Sequence, residues 1–212
     1  MMRKELLEAY QGEKALAYIS KYVDVDCDDV LLVKTNEQFN IENTFATKKA
    51  IVNLHKINDI RSINEFFKVV NSKLNNDGIF IGCVETKDER RKRLFRKYPF
   101  LFAQIYFLFD FIFKRVFSKL WFTKWFYFFI TAGRNQVLSK AEALGRLVYC
   151  GFEIIDEQEI NNLLYFTVKK KKYIENVKEP MFSILFKMVR IGKYGNPITV
   201  YKIRTMHPYA EF

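Results

Sequence analysis

Residues 51–82 read IVNLHKINDIRSINEFFKVVNSKLNNDGIFIG. Two short apolar runs, Ala50 to Leu54 and Ile79 to Val84, have the composition of buried strands. Between them Ile60, Ile63, Phe66, Phe67, Val70 and Leu74 recur at helical spacing and form one stripe. The spacing predicts a helix from Ile60 to Leu74, ended by Asn75-Asn76-Asp77-Gly78. Strand, helix, strand with apolar strands is the βαβ unit, and it calls for a parallel sheet with helices packed on it.

Outward from this unit the chain keeps the same character. Arg3 to Val23 reads as an amphipathic helix weakened at Gly12, and Val30–Val33 as a short buried strand. Residues 35–47 are polar and fix no element. Further on, Ser139 is placed to cap a helix from Lys140 to Tyr149, with Glu142 at its third position and Gly151 stopping it. Phe152–Asp156 and Leu163–Val168 then read as two strands of an antiparallel edge, leaving through the basic run Lys169–Lys172.

The stretch 51–82, with its helix running into a glycine before the next strand, resembles the second half of a class I methyltransferase. GFEIIDEQEINNLLYFTVKKKK from Gly151 is similar to that fold's closing strands. The resemblance implies a reduced Rossmann-like (methyltransferase-like) sheet in an α/β fold. S-adenosylmethionine chemistry is the alternative function it carries. A cofactor-binding sheet needs a glycine-rich turn after its first strand, so that backbone can approach the ligand. Here Val30–Val33 is followed by Lys34-Thr35-Asn36-Glu37-Gln38, and no glycine occurs between Gly12 and Gly78. The interval before the next strand is also too short for two further βα units. A shortened module without cofactor is therefore expected. Glu85 and Thr86 end the third strand where ligands bind in open α/β sheets, and with His55 and Asn58 they line either a pocket or a set of capped loops.

At Lys87 the composition changes. KDERRKRLFRK holds seven cations in eleven residues, and Pro99 opens PFLFAQIYFLFDFIF, interrupted only by Gln104 and Asp110. LWFTKWFYFFI from Leu120 repeats the aromatic theme. A helix apolar on nearly all sides is either covered by protein or faces lipid. Fifteen helical residues cover about 23 Å, short of the roughly 30 Å of a bilayer core, so no ordinary span is expected. Aromatic residues interleaved with lysine and arginine suit a membrane interface, and a polybasic run adds attraction to anionic lipid. The expected contacts are Arg90, Arg91, Lys92, Arg93, Arg96, Lys97, Phe100, Phe102, Phe107, Phe111, Trp121 and Trp125. The opposing expectation is that these helices cover one face of the sheet. Nucleic acid is not expected as the partner: stacking platforms are spaced among polar residues, whereas these aromatics run in unbroken apolar clusters.

The last stretch, RIGKYGNPITVYKIRTMHPYAEF from Arg190, reads as a hairpin. Gly192 and Gly195 offer the positive φ of a tight reversal, and Pro197 suits the start of an edge strand. In the second strand Ile198, Val200, Lys202 and Arg204 share a face, with the two cations about 6–7 Å apart, a spacing suited to a diphosphate. An ordinary basic solvent face is the other reading. The pattern R-x-G-K-x-G-x-x-x-x-V-Y-K-x-R-T-M resembles the signature of the bacterial sugar transferases that start lipid-linked polysaccharide synthesis, the polyprenyl-phosphate phosphoglycosyl transferases. Arg190, Gly192, Lys193, Gly195, Val200, Tyr201, Lys202, Arg204, Thr205 and Met206 carry it. The resemblance implies transfer of a sugar phosphate from a nucleotide sugar to a polyprenyl phosphate, at the cytoplasmic face of the inner membrane and with magnesium. In that family the catalytic Asp-Glu pair follows this motif, so residues 173–212 are expected to be a linker and the start of such a domain, inactive alone. Arg190, Lys202 and Arg204 would then be phosphate contacts at most. With its partner strands missing, the hairpin is expected to be poorly ordered or to dock on the module or on another copy.

Bulk properties agree with one α/β module over residues 1–172, carrying an aromatic, basic insertion at 87–131. The 212 residues hold 22 Phe and 12 Tyr, and a net charge of +11 calls for an anionic partner. Cys27, Cys83 and Cys150 form no C-x-x-C pair, and His55 and His207 are the only histidines, so neither a disulfide framework nor a metal site is expected. The N-terminus lacks the apolar core of a signal peptide, making the cytoplasm the default location.

Overall fold

A computed structural model describes residues 11–44, 46–117, 121–172, 185–203 and 208–211. Its centre is a five-stranded mixed sheet in the order β1–β2–β3–β5–β4. β1 (Val30–Val33), β2 (Lys48–Lys56) and β3 (Leu74–Val84) run parallel, while β5 (Leu163–Lys170) lies antiparallel to both β3 and β4 (Phe152–Ile160). The chain is thus α/β, with helices inserted around a mixed sheet and a separate strand pair at its C-terminal end.

Alternation along the strands builds two cores, because successive side chains point to opposite faces. Ile51 and Phe80 face α3 (Ile63–Lys73) and α7 (Lys140–Tyr149); Ala50, Val52 and Ile81 face α1 (Glu13–Ser20). The first core is largely aromatic. Phe80 meets Phe67 and Phe166 edge-on, with ring centroids 6.0 and 5.7 Å apart, and all three are fully buried. Truncating Phe80 to alanine should cost about 3–5 kcal/mol. On the other face the three rings of Tyr18, Tyr22 and Tyr165 cluster, and the Cys83 thiol is pushed up to about 12 by burial.

Where element boundaries differ from the sequence expectation, a local contact explains the shift. The central helix starts at Ile63 rather than Ile60, because Ile57–Asp59 forms a 3-10 turn and Ile60 is extended. The Asn58 side chain ties that turn to Glu85 and Gln136. The strand β3 already begins at Leu74, and within it Asp77, not Gly78, takes a positive φ of 62°. Residues 35–47 contain the short helix α2 (Phe39–Glu42). β4 and β5 are longer than expected and joined by Asn161-Asn162, both at positive φ, as a two-residue hairpin of primed type requires.

The insertion holds α4 (Lys87–Lys97), α5 (Phe100–Phe111), a π turn (Ile112–Val116) and α6 (Trp121–Thr131). Its two ends are pinned together: Thr86 and Leu138 form a parallel bridge, and the Lys87 amide donates to the Leu138 carbonyl at 2.8 Å. Beyond the sheet, β6 (Leu185–Ile191) pairs with β7 (Pro197–Ile203). At their turn Gly195 and Tyr194 take positive φ, while Gly192 does not. Gly192 is needed for closeness instead, since a Cβ there would sit 2.8 Å from Ile198.

Candidate functional site

The edge where the parallel strands end is closed by side chains of the module itself. After β1 the Thr35 amide donates to Asn53 Oδ1 (3.1 Å), and Asn53 Nδ2 returns a bond to the Thr35 carbonyl (2.9 Å). The Thr35 hydroxyl receives Asn40 Nδ2 at 2.7 Å and the Glu37 amide at 3.1 Å. The Thr35 backbone groups are therefore satisfied by Asn53 of β2 and its hydroxyl by the turn itself, where a cofactor loop would hold its amides free for a ligand.

After β3 the same thing happens with charge. Glu85 is buried, its amide donating to Asn58 Oδ1 and its carbonyl accepting from Asn58 Nδ2. Its carboxylate accepts from Arg93 Nε at 2.5 Å and from Arg90 Nη1 at 3.3 Å. Thr86 caps α4 by accepting from the Glu89 amide, an arrangement foreshadowed by the T-x-x-E spacing. His55 lies beside Asp59, with Nε2 3.3 Å from Oδ2. Glu85, Thr86, His55 and Asn58 therefore form capped and paired loops, not an open pocket.

Arg90 departs most from the sequence expectation. Expected among the membrane contacts, it is only 3% exposed. Its guanidinium grips Asp110 of α5 through two bonds, Nε to Oδ2 at 2.6 Å and Nη2 to Oδ1 at 2.9 Å, and reaches Asn135 Oδ1 at 2.6 Å. Lys114 adds a contact to Asp110 at 2.7 Å. Burial pushes the Asp110 carboxyl up, but the hydrogen bonds and charges of Arg90 and Lys114 outweigh it and hold the group below the ordinary carboxylate value. The hydrogen bond from Arg93 to Glu85 raises the guanidinium's affinity for its proton. One acid inside an apolar run, Asp110, was the signal available in the sequence for this brace.

The other expected contacts divide. Lys92 is engaged by Glu89 and Glu159, Arg93 by Glu85, and Arg96 by Asn162. Arg91 is exposed and stacks over Phe95 and Phe107; Lys97 lies over Tyr98. Only a narrow stripe of α5, with Ala103 and Asp110 buried and Phe107 and Phe111 half-buried, turns toward the protein. The remainder faces outward: Phe100 is 66% exposed, Leu101 72% and Phe102 70%. α6 does the same, with Tyr127 buried against Phe113 while Trp125 and Phe129 stack on each other at 74% and 76% exposure. These helices do not cover the sheet. Among the described residues no helix is long and apolar enough to cross a membrane.

On the hairpin, Arg190 pairs with Ile198, and Lys202 lies four residues further along β7. The two exposed cations share a face but stand about 13 Å apart, so they do not converge on one phosphate. Arg204 and the Trp121 side chain lie outside the described residues, as does 173–184, where the linker was expected. The other hairpin face exposes Val189, Ile191, Tyr201 and Ile203. The turn Pro208–Glu211 packs on α7, where Tyr209 is buried against Tyr149 and accepts a bond from Asn64 Nδ2 at 2.5 Å. Among the described residues no cluster of three or more His, Cys, Asp or Glu could hold a metal ion.

No protein-family model matches the sequence, and no curated protein is detectably similar to it. Among solved structures, the chain is similar to an O-methyltransferase family protein from Burkholderia thailandensis, at 12% identity and a TM-score of 0.36. The match covers 65% of this chain and 34% of that one, so the chain spans about a third of its neighbour's length. A likeness this slight carries no argument about activity.

Proposed function

We propose that this chain is a membrane-docking module of methyltransferase-like layout, without methyl-transfer chemistry of its own, carrying the opening hairpin of a sugar transferase. The observation behind the docking role is the outward apolar face of α5 and α6, braced from beneath by the buried Arg90–Asp110 pair. An apolar surface of this size is costly in water and suits the interfacial region of a bilayer, with Trp125 and Tyr106 at headgroup level. Cations around it, Arg91 and Lys97 among them, favour an anionic leaflet, in keeping with attachment at the cytoplasmic face of an inner membrane. Cosedimentation with vesicles tests this. The chain should pellet with phosphatidylglycerol vesicles and less so at high salt, and Phe102→Ser/Trp125→Ser/Phe129→Ser should stay in solution. Pelleting by that variant equal to wild type removes the reading.

A separate observation favours the sugar-transferase part. Among the described residues nothing covers either face of the β6–β7 hairpin, and an isolated strand pair is marginal in water. Such a pair calls for further strands, as the motif resemblance implies. The complete enzyme would act on a nucleotide sugar and a polyprenyl phosphate with magnesium, and Arg190, Lys202 and Arg204 would contact phosphate. The test is the coding sequence after Phe212: a continuation with an Asp-Glu pair is expected, and a stop codon there contradicts it.

A further inference from the structure

A groove of about 420 Å³ runs between α4 and α5. One wall is a single face of α4, Lys87, Arg91 and Phe95, at positions i, i+4 and i+8. The other wall is α5, with Ile105, Phe107, Leu108 and Phe111. None of the lining residues is acidic. The two cations stand about 6 Å apart along the helix, close enough to share one phosphate. Arg91 is held between rings, its guanidinium carbon 5.3 Å from the Phe95 centroid and 6.0 Å from that of Phe107. Stacking fixes the plane of the guanidinium while leaving its edge donors for an anion.

The groove is also continuous with the outward apolar face. Ile105 and Leu108 line it and are each 56% exposed on the surface proposed to meet lipid. Cations over an apolar floor that opens toward hydrocarbon select an amphiphile with a negative head and an alkyl tail. We propose that this groove binds one anionic phospholipid, its phosphate on Lys87 and Arg91 and an acyl chain along Ile105, Leu108 and Phe111. The inference deepens the docking reading and rests on it: the apolar face would supply attachment, and the groove would supply selectivity for headgroup charge.

The test uses monomeric lipid, so that it does not depend on attachment to vesicles. The whole chain is titrated calorimetrically with dihexanoyl-phosphatidylglycerol below its micellar concentration, then with dihexanoyl-phosphatidylcholine and with glycerol 3-phosphate. Binding of the anionic lipid should be at least about tenfold tighter than that of the choline lipid, because two cations meet its charge. Glycerol 3-phosphate, lacking a tail, should bind more weakly than the anionic lipid. Lys87→Gln/Arg91→Gln, checked for folding by circular dichroism, should lower the anionic lipid to the level of the choline lipid. Equal affinity for the two lipids, no binding of either, or no effect of the double variant would overturn the proposal. So would glycerol 3-phosphate binding as tightly as the lipid, which would mark a free-phosphate site. Vesicle attachment that survives while monomeric lipid fails removes the groove alone; the reverse result removes the docking face alone.

Discussion

The guanidinium of Arg90 and the carboxylate of Asp110 meet in a buried, two-bond ion pair that joins the first and second helices of the insertion. Neither residue touches the outward face, yet both fix how α5 stands on the module. Replacing one member leaves the other charge short of its main partner in a dry site, whereas replacing both with apolar residues removes that mismatch and leaves Glu85 paired to Arg93. Arg90→Met or Asp110→Leu alone should lower stability by about 3–5 kcal/mol, and the double variant should recover most of that loss. Chemical denaturation of the four proteins measures it; additive losses would show that the pair is not coupled.

The same pair sets an acid limit. Because Asp110 is held below its ordinary value of 3.8, its contribution is fully present above that value and is lost as pH falls through the lower, folded one. The stability gap between wild type and Asp110→Asn should stay constant from neutral pH to about pH 5 and narrow below about pH 4. Thermal unfolding across that range checks the sign. Narrowing already between pH 7 and pH 5 would contradict it.

Closure of the sheet's ligand edge predicts a negative result with a positive control. Calorimetry with S-adenosylmethionine should show no binding, and Asn53→Ala should reduce stability by about 1–3 kcal/mol without creating a site, because it leaves Thr35 groups unpaired. Saturable heat from wild type would reinstate the methyltransferase reading.

Docking of the C-terminal turn depends on Gly145. A Cβ there would fall 1.6 Å from the Tyr209 carbonyl oxygen, a backbone atom that cannot yield cheaply. Gly145→Ala should release the 208–211 turn while the sheet stays folded. Hydrogen exchange separates the two: protection should drop around Tyr209 and persist at Ile51–Leu54 and Ile79–Val84. In wild type, β7 amides should exchange faster than those of the central sheet. Equal protection would make the hairpin an integral part of this module.

How far the sequence could be read follows from which interactions are local. Strands at Val30–Val33 and Ile79–Val84, and the Ser139 cap with its 3.2 Å bond from the Glu142 amide, rest on composition and short spacing. Parallel pairing followed from the apolar runs. The burial of Arg90 did not, because it is decided by Asp110, 20 residues away, and the reach of Lys92 to Glu159 was hidden for the same reason. Tyr209 was equally hidden, since its socket combines Asn64, Arg146 and Tyr149 from two helices. Whether α5 was covered or bare could not be settled by an apolar run alone, as both cases share that composition.

Trp125 reports directly on whether α6 meets lipid. In a Trp121→Phe chain Trp125 is the single tryptophan, and it is 74% exposed in the free protein. Its fluorescence is recorded with phosphatidylglycerol vesicles, then with vesicles whose acyl chains carry bromine near the headgroup or near the bilayer centre. The expected result is a blue shift on adding vesicles and stronger quenching by the shallow bromines than by the deep ones, as an interfacial helix requires. An emission spectrum unchanged by vesicles, with no quenching at either depth, would contradict membrane docking.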